Sequence, residues 1–184
     1  MKKIIFLLAM LCNFSIFGKD STIVKKPLPP VITIVKTPLP NATIKNLDGT
    51  TINASTINNG NNLIYLTFWA TWCKSCIQEL NELNEVYDVW RDEFDVKIVI
   101  VSVDDVRNSN KVKPFVYGKN WSFDVYLDPN GDLRRTMNVN NVPHSFLINE
   151  DGKVIWQQNF HSPGDELRIY ELIRKYELNG VNNE

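Results

Sequence analysis

Two cysteines three positions apart carry the chemistry most plainly written in this chain: Cys73 and Cys76, in the run Trp72-Cys73-Lys74-Ser75-Cys76. At that spacing two thiols can close a disulfide within one helical turn, and can trade it with a disulfide of another protein. The run follows an apolar stretch, Leu63 to Trp69, and opens a helix-like pattern, so Cys73 is expected at or just before a helix N-terminus. Free backbone N–H groups and the helix dipole favour a thiolate there, and Lys74 adds a positive charge acting in the same sense. The thiolate is the attacking species in thiol–disulfide exchange. Cys76, one turn on, is placed to attack a mixed disulfide and release the bound partner. Zinc is the competing use of such a pair, but it usually takes four ligands, and the sequence holds no second Cys pair.

Other residues bear on this chemistry. Trp72 either shields the thiol and gives apolar contact to a protein substrate, or caps the core as a half-buried aromatic. Glu79 follows Cys76 by three residues and shares its side of a helix. A carboxylate under a buried thiol has a raised pKa and can shuttle its proton; the alternative is a solvated helix charge, the role expected of Glu82 and Glu85. Pro143, between Val142 and a strand starting at Ser145, reads from spacing alone as an ordinary trans proline at a sheet edge. In cis it would make a tight turn and leave neighbouring backbone groups free for an incoming chain. His144, facing the cysteines, would complete a Cys73–Cys76–His144 copper or zinc site, but strand alternation is expected to turn it away. His161, in a loop, carries no signal.

The elements that must position these residues follow from the apolar pattern. Thr43–Leu47 and Thr51-Ile52 flank Asp48-Gly49, a two-residue hairpin signal. Leu63–Phe68 and Val96–Val103 read as buried strands. Ile77, Leu80, Leu83, Val86, Tyr87 and Trp90 recur at helical steps and make one apolar face. Asn108–Tyr117 is a weaker helix with Pro114 against it. Phe123–Leu127 is a short strand ending at the turn Asp128-Pro129-Asn130-Gly131. Ser145–Asn149 and Lys153–Gln158 form a hairpin about Asp151-Gly152. Ser162 is the expected N-cap, with Pro163 in the first helical position, of a last helix over Asp165–Tyr176. Strand–helix alternation implies parallel pairing and the last hairpin an antiparallel edge, hence an α/β fold with a mixed sheet covered on both faces.

The 184 residues suit one domain and a leader. A formal net charge of −1 gives no broad basic excess, so no nucleic-acid partner is expected. Lys2 and Lys3 precede an apolar run, Ile4–Phe17, broken by Asn13 and Ser15. It is short of the roughly 20 residues of a membrane span and right for a secretory signal. An uncleaved anchor is the other reading of residues 1–18. Cleavage after Gly18 would remove Cys12, leaving both remaining cysteines in the motif. One vicinal pair in an exported chain is no disulfide framework, and so small a loop stabilises weakly, which argues for a working pair. Residues 19–37, with Pro27, Pro29 and Pro30, read as a linker, and Pro38 and Pro40 continue its character. A globular domain is expected over residues 38–178, with a short tail over 179–184.

The stretch Phe68-Trp69-Ala70-Thr71-Trp72-Cys73-Lys74-Ser75-Cys76, followed by Glu79, resembles the active-site segment of the TlpA/ResA/DsbE-like thioredoxin family. Asn141-Val142-Pro143-His144-Ser145-Phe146-Leu147-Ile148, followed by Asp151-Gly152-Lys153-Val154, resembles that family's cis-proline strand and hairpin. The likeness covers roughly residues 38–178 and includes an added N-terminal hairpin. It implies a thioredoxin fold and thiol–disulfide exchange outside the cytoplasm, with no cofactor. The usual role is reduction of exported proteins such as apocytochrome c by a monomer fed by a membrane electron donor. Carried over by position, Cys73 is the nucleophile, Cys76 resolves, Pro143 is cis and Glu79 is the buried acid, while Trp72, Val142 and Pro143 frame the substrate. An oxidase or isomerase, or a Cys/His metal-binding module, are the alternatives. Thr67 stands where thioredoxin carries a buried aspartate, Lys74-Ser75 replaces the usual proline-containing dipeptide, and His144 stands where Thr is more usual.

Overall fold

The computed structural model describes residues 38–180, apart from Asn59 and Asn61. The expected signal or anchor over 1–18, with Cys12, and the linker over 19–37 lie outside the described residues. Among the described residues no helix is long and apolar enough to cross a membrane.

Among the described residues seven strands form one sheet. In chain order they are β1 (Thr43–Asn46), β2 (Thr51–Asn53), β3 (Ile64–Trp69), β4 (Lys97–Ser102), β5 (Asp124–Leu127), β6 (His144–Ile148) and β7 (Val154–Gln158). Their spatial order is β2-β1-β5-β4-β3-β6-β7. β3 pairs in parallel with β4, and β4 with β5; every other neighbouring pair is antiparallel. The parallel pairs are those joined through helices: α1 (Lys74–Phe94) between β3 and β4, and α2 (Val112–Lys119) between β4 and β5. A short α3 (Asp132–Thr136) precedes β6, and α4 (Asp165–Gly180) closes the domain. This is the thioredoxin-like α/β architecture with an added N-terminal hairpin.

The central strands are apolar throughout because both faces are covered. Leu63, Tyr65 and Trp69 meet α1, α2 and α4 on one side, with Ile98 and Ile100 from β4. Ile64, Leu66 and Phe68 meet Leu133 of α3 and the N-terminal segment through Leu39, Ala42 and Ala54 on the other. Of the helix stripe read from the sequence, Leu80, Leu83, Tyr87 and Trp90 are buried, whereas Ile77 and Val86 lie at its margin. The buried face is completed by Cys76 and Glu79.

Three local expectations are corrected. The first hairpin does not turn on two residues: Asn46 N–H bonds Thr50 O at 2.9 Å, and residues 47–50 make the loop. Ser162 is not the cap of the last helix. Pro163 and Gly164 form a tight turn in which Asp165 N–H bonds Ser162 O, and Gly164 takes a φ of +87° that a first helical turn excludes. The helix then runs past Tyr176 to Gly180. Pro114 is absorbed in the first turn of α2, where a backbone N–H has no intrahelical partner.

Candidate active site

The sheet delivers the cysteines at the C-terminal end of β3. Ala70 to Trp72 make a turn, with Cys73 N–H bonding Ala70 O at 3.0 Å, and Cys73 is the N-cap of α1. Its sulfur accepts the backbone N–H of Cys76 at 3.2 Å, as an N-cap side chain does. The two sulfurs are joined, 2.00 Å apart. The pair is asymmetric: Cys76 is wholly buried, Cys73 is 6% exposed, and Trp72 beside it is 66% exposed. Trp72 is therefore an exposed aromatic next to the outer sulfur and not a core cap.

The turn is held by a residue the sequence reading did not single out. Asp104, buried just beyond β4, accepts Thr71 Oγ1–H at 2.7 Å and Thr71 N–H at 2.9 Å. Its second oxygen also accepts from Ser102 Oγ at 2.8 Å. The only sequence trace of this anchor is an acidic residue closing an apolar strand.

Glu79 lies on the buried face of α1, 3% exposed. Its Oε1 accepts from Tyr65 Oη at 2.8 Å, and Ser145 Oγ lies 2.8 Å from the same atom. Ser145 is also 2.9 Å from Thr67 Oγ1. Thr67, Tyr65 and Ser145 thus line the acid from two neighbouring strands. Burial pushes the Glu79 carboxyl above the usual carboxylate range; the Ser145 and Tyr65 hydroxyls oppose that rise, as does the nearby His161. The solvated-charge reading of Glu79 is excluded.

The Val142–Pro143 peptide bond is cis, against the trans reading from spacing and in line with the family likeness. Val142 O faces the cysteines, 3.8 Å from Cys73 Sγ. His144 faces the opposite side of β6. Its ring stacks on Phe146 with centroids 4.6 Å apart, and Nε2 lies 3.2 Å from Gln157 Oε1. Burial lowers its pKa. The Cys73–Cys76–His144 grouping is therefore not assembled, and among the described residues no cluster of three or more His, Cys, Asp or Glu side chains is suited to a metal.

A helix-capping, partly accessible sulfur backed by a buried one, on a mixed sheet of this order, defines the chain as a thioredoxin-like thiol–disulfide oxidoreductase. The chain belongs to the AhpC/TSA family, whose profile matches residues 35–157. It is 31% identical over 131 residues to the thiol-disulfide oxidoreductase ResA of Bacillus thuringiensis subsp. konkukian, covering 71% of this chain and 73% of that protein. A solved thioredoxin-like protein from Porphyromonas gingivalis is 36% identical, with a TM-score of 0.68 over 74% of this chain and 90% of that one. A thiol:disulfide interchange protein DsbE from Chlorobium tepidum is 26% identical, with a TM-score of 0.66 over 76% and 95%.

Proposed function

We propose that this chain is an extracytoplasmic reductase of disulfides in exported proteins, apocytochrome c among them. The Cys73 thiolate attacks a substrate disulfide, forms a mixed disulfide and releases one substrate thiolate. The Cys76 thiolate then attacks the Cys73 sulfur, which frees the second substrate sulfur and leaves the Cys73–Cys76 disulfide. Two electrons have passed to the substrate, and a membrane thiol–disulfide donor returns them. The Glu79 carboxylate takes the proton from the Cys76 thiol beforehand, which forms the thiolate that attacks. Trp72, Val142 and Pro143 frame the substrate chain around the outer sulfur.

The observation that carries this reading is the asymmetry of the pair, an N-capping sulfur beside an exposed tryptophan and a fully buried partner one turn on. An outer sulfur meets another protein, while an inner one acts only on what the outer one has captured. Oxidation is the second reading, because Lys74-Ser75 between the cysteines departs from the family dipeptide.

The test is the reduction potential of the pair, by equilibration with glutathione or dithiothreitol. A value near or below about −270 mV is expected of a reductant, whereas a value near about −120 mV would make the protein an oxidant and overturn the proposal.

A further inference from the structure

Two buried acids stand at the C-terminal ends of neighbouring parallel strands, and each anchors one half of the site. Asp104, just beyond β4, fixes the Thr71 turn that presents Cys73. Asp128, just beyond β5, accepts the backbone N–H of Arg134 on α3 at 2.7 Å, and its own N–H donates to Ser102 O of β4 at 2.8 Å. The Arg134 side chain then turns back on the segment that follows its helix. Nε donates to Val139 O at 3.0 Å and Nη2 to Asn140 O at 2.6 Å, while Val139 N–H donates to Arg134 O at 2.9 Å. One residue therefore joins the end of β5 to the irregular stretch between α3 and β6. Val142, whose carbonyl oxygen faces Cys73, lies two positions beyond Asn140.

We propose that Arg134 is a positioning residue for substrate docking. By clamping the carbonyls of Val139 and Asn140 it sets the place of Val142 O against Cys73, and so the line along which a protein substrate reaches the outer sulfur. The proposal rests on the reading of Cys73 and Cys76 as a pair that exchanges disulfides with proteins.

Two residues of chain span at most about 7 Å, so a displacement at Asn140 passes to Val142 with little slack. A guanidinium suits this task because its N–H groups are fixed in a planar fork, and charge-assisted bonds to two successive carbonyls set both position and direction. Lysine keeps the charge but offers a single point on a flexible stem. The neighbouring Arg135 does not share the role. Its guanidinium donates to Asn130 O and to Asp132 Oδ1, each at 2.6 Å, which ties it to the start of α3 and not to the segment leading to Val142. The Arg134 clamp acts on backbone carbonyls and not on the sulfurs. It bears on where a polypeptide docks and leaves exchange with a small disulfide alone.

The experiment mixes the reduced protein with an excess of each of two disulfides and follows a single turnover. One is a peptide carrying an oxidised Cys-x-x-Cys-His run, the haem-attachment sequence of an apocytochrome c. The other is hydroxyethyl disulfide, which has no backbone to dock. In Arg134→Gln the peptide concentration at half-saturation should rise by about three- to tenfold with the rate at saturation unchanged. The rate with hydroxyethyl disulfide should stay at the wild-type value. Arg134→Lys should show the same split, whereas Arg135→Gln, which takes two hydrogen bonds from the same helix, should match wild type. Unchanged half-saturation in Arg134→Gln, an equal rise in Arg135→Gln, or an equal loss of rate with both disulfides would overturn the proposal. So would wild-type half-saturation in Arg134→Lys, the variant that decides the matter if the glutamine protein does not fold. A wild type that reduces hydroxyethyl disulfide but not the peptide overturns the docking role alone. One that reduces neither overturns the exchange reading on which it rests.

Discussion

The sulfur of Cys73 lies 3.8 Å from the carbonyl oxygen of Val142, a residue 69 positions further along the chain. A partner sulfur joined to Cys73 would therefore arrive beside the segment leading into β6, while Cys76 remains covered. The Cys76→Ser protein is expected to accumulate mixed disulfides through Cys73, and Cys73→Ser to form none. Non-reducing electrophoresis followed by mass spectrometry reads the linkage. Adducts that form equally well in Cys73→Ser would sink the assignment of the outer nucleophile.

Stability should depend on pH through Glu79. Burial raises its carboxyl from 4.5, so the native protein holds this proton to higher pH than the unfolded chain, where a glutamate titrates near about 4.3. The folded state binds more protons between the two values, so its stability falls as pH rises through that window and levels off above the folded-state pKa. Glu79→Gln has no such ionisation. It should gain stability relative to wild type across the same window, read as the difference in urea midpoint between pH 4.5 and pH 8. Parallel behaviour of the two proteins would contradict the buried-acid description.

Ser145→Ala removes a hydroxyl within 2.8 Å of Glu79 that holds the carboxyl pKa down. The Glu79 midpoint should rise further and the acid limb of the exchange profile should move to higher pH. The accompanying loss of stability should be about 1 kcal/mol, the usual net worth of one hydrogen bond. An unmoved acid limb would separate Ser145 from the proton chemistry.

Asp104→Ala should loosen the turn that presents Cys73. It strips the Thr71 N–H and hydroxyl of their acceptors at a buried position. The expected cost is about 1–3 kcal/mol. For a chain of this size the melting temperature falls by about 2–4 °C per kcal/mol. Calorimetry measures it, and an unchanged melting temperature would show that the turn holds its shape without this anchor.

The strands, α1 and the cysteine pair were legible in the sequence because each rests on a local pattern: continuous apolar runs, a helical stripe, two thiols within one turn. Glu79 was legible as a position but not as a state, since helical spacing places it near Cys76 without saying which strands cover it. Asp104 and Thr71 meet across 33 positions, so their pairing leaves no mark in any local window. Ser162 misled for a different reason. Ser-Pro ahead of an acidic helix start matches a capping pattern, but Gly164 in the left-handed region breaks the helical path before it begins.

The added hairpin has a consequence for solubility. Because β1 pairs antiparallel with β5, the outermost parallel strand is not left with bare N–H and C=O groups. A strand edge of that kind is a template on which a second chain can build. Trimming the domain to begin after Asn53 would uncover it, and the shortened protein should self-associate even with both cysteines and their surroundings intact.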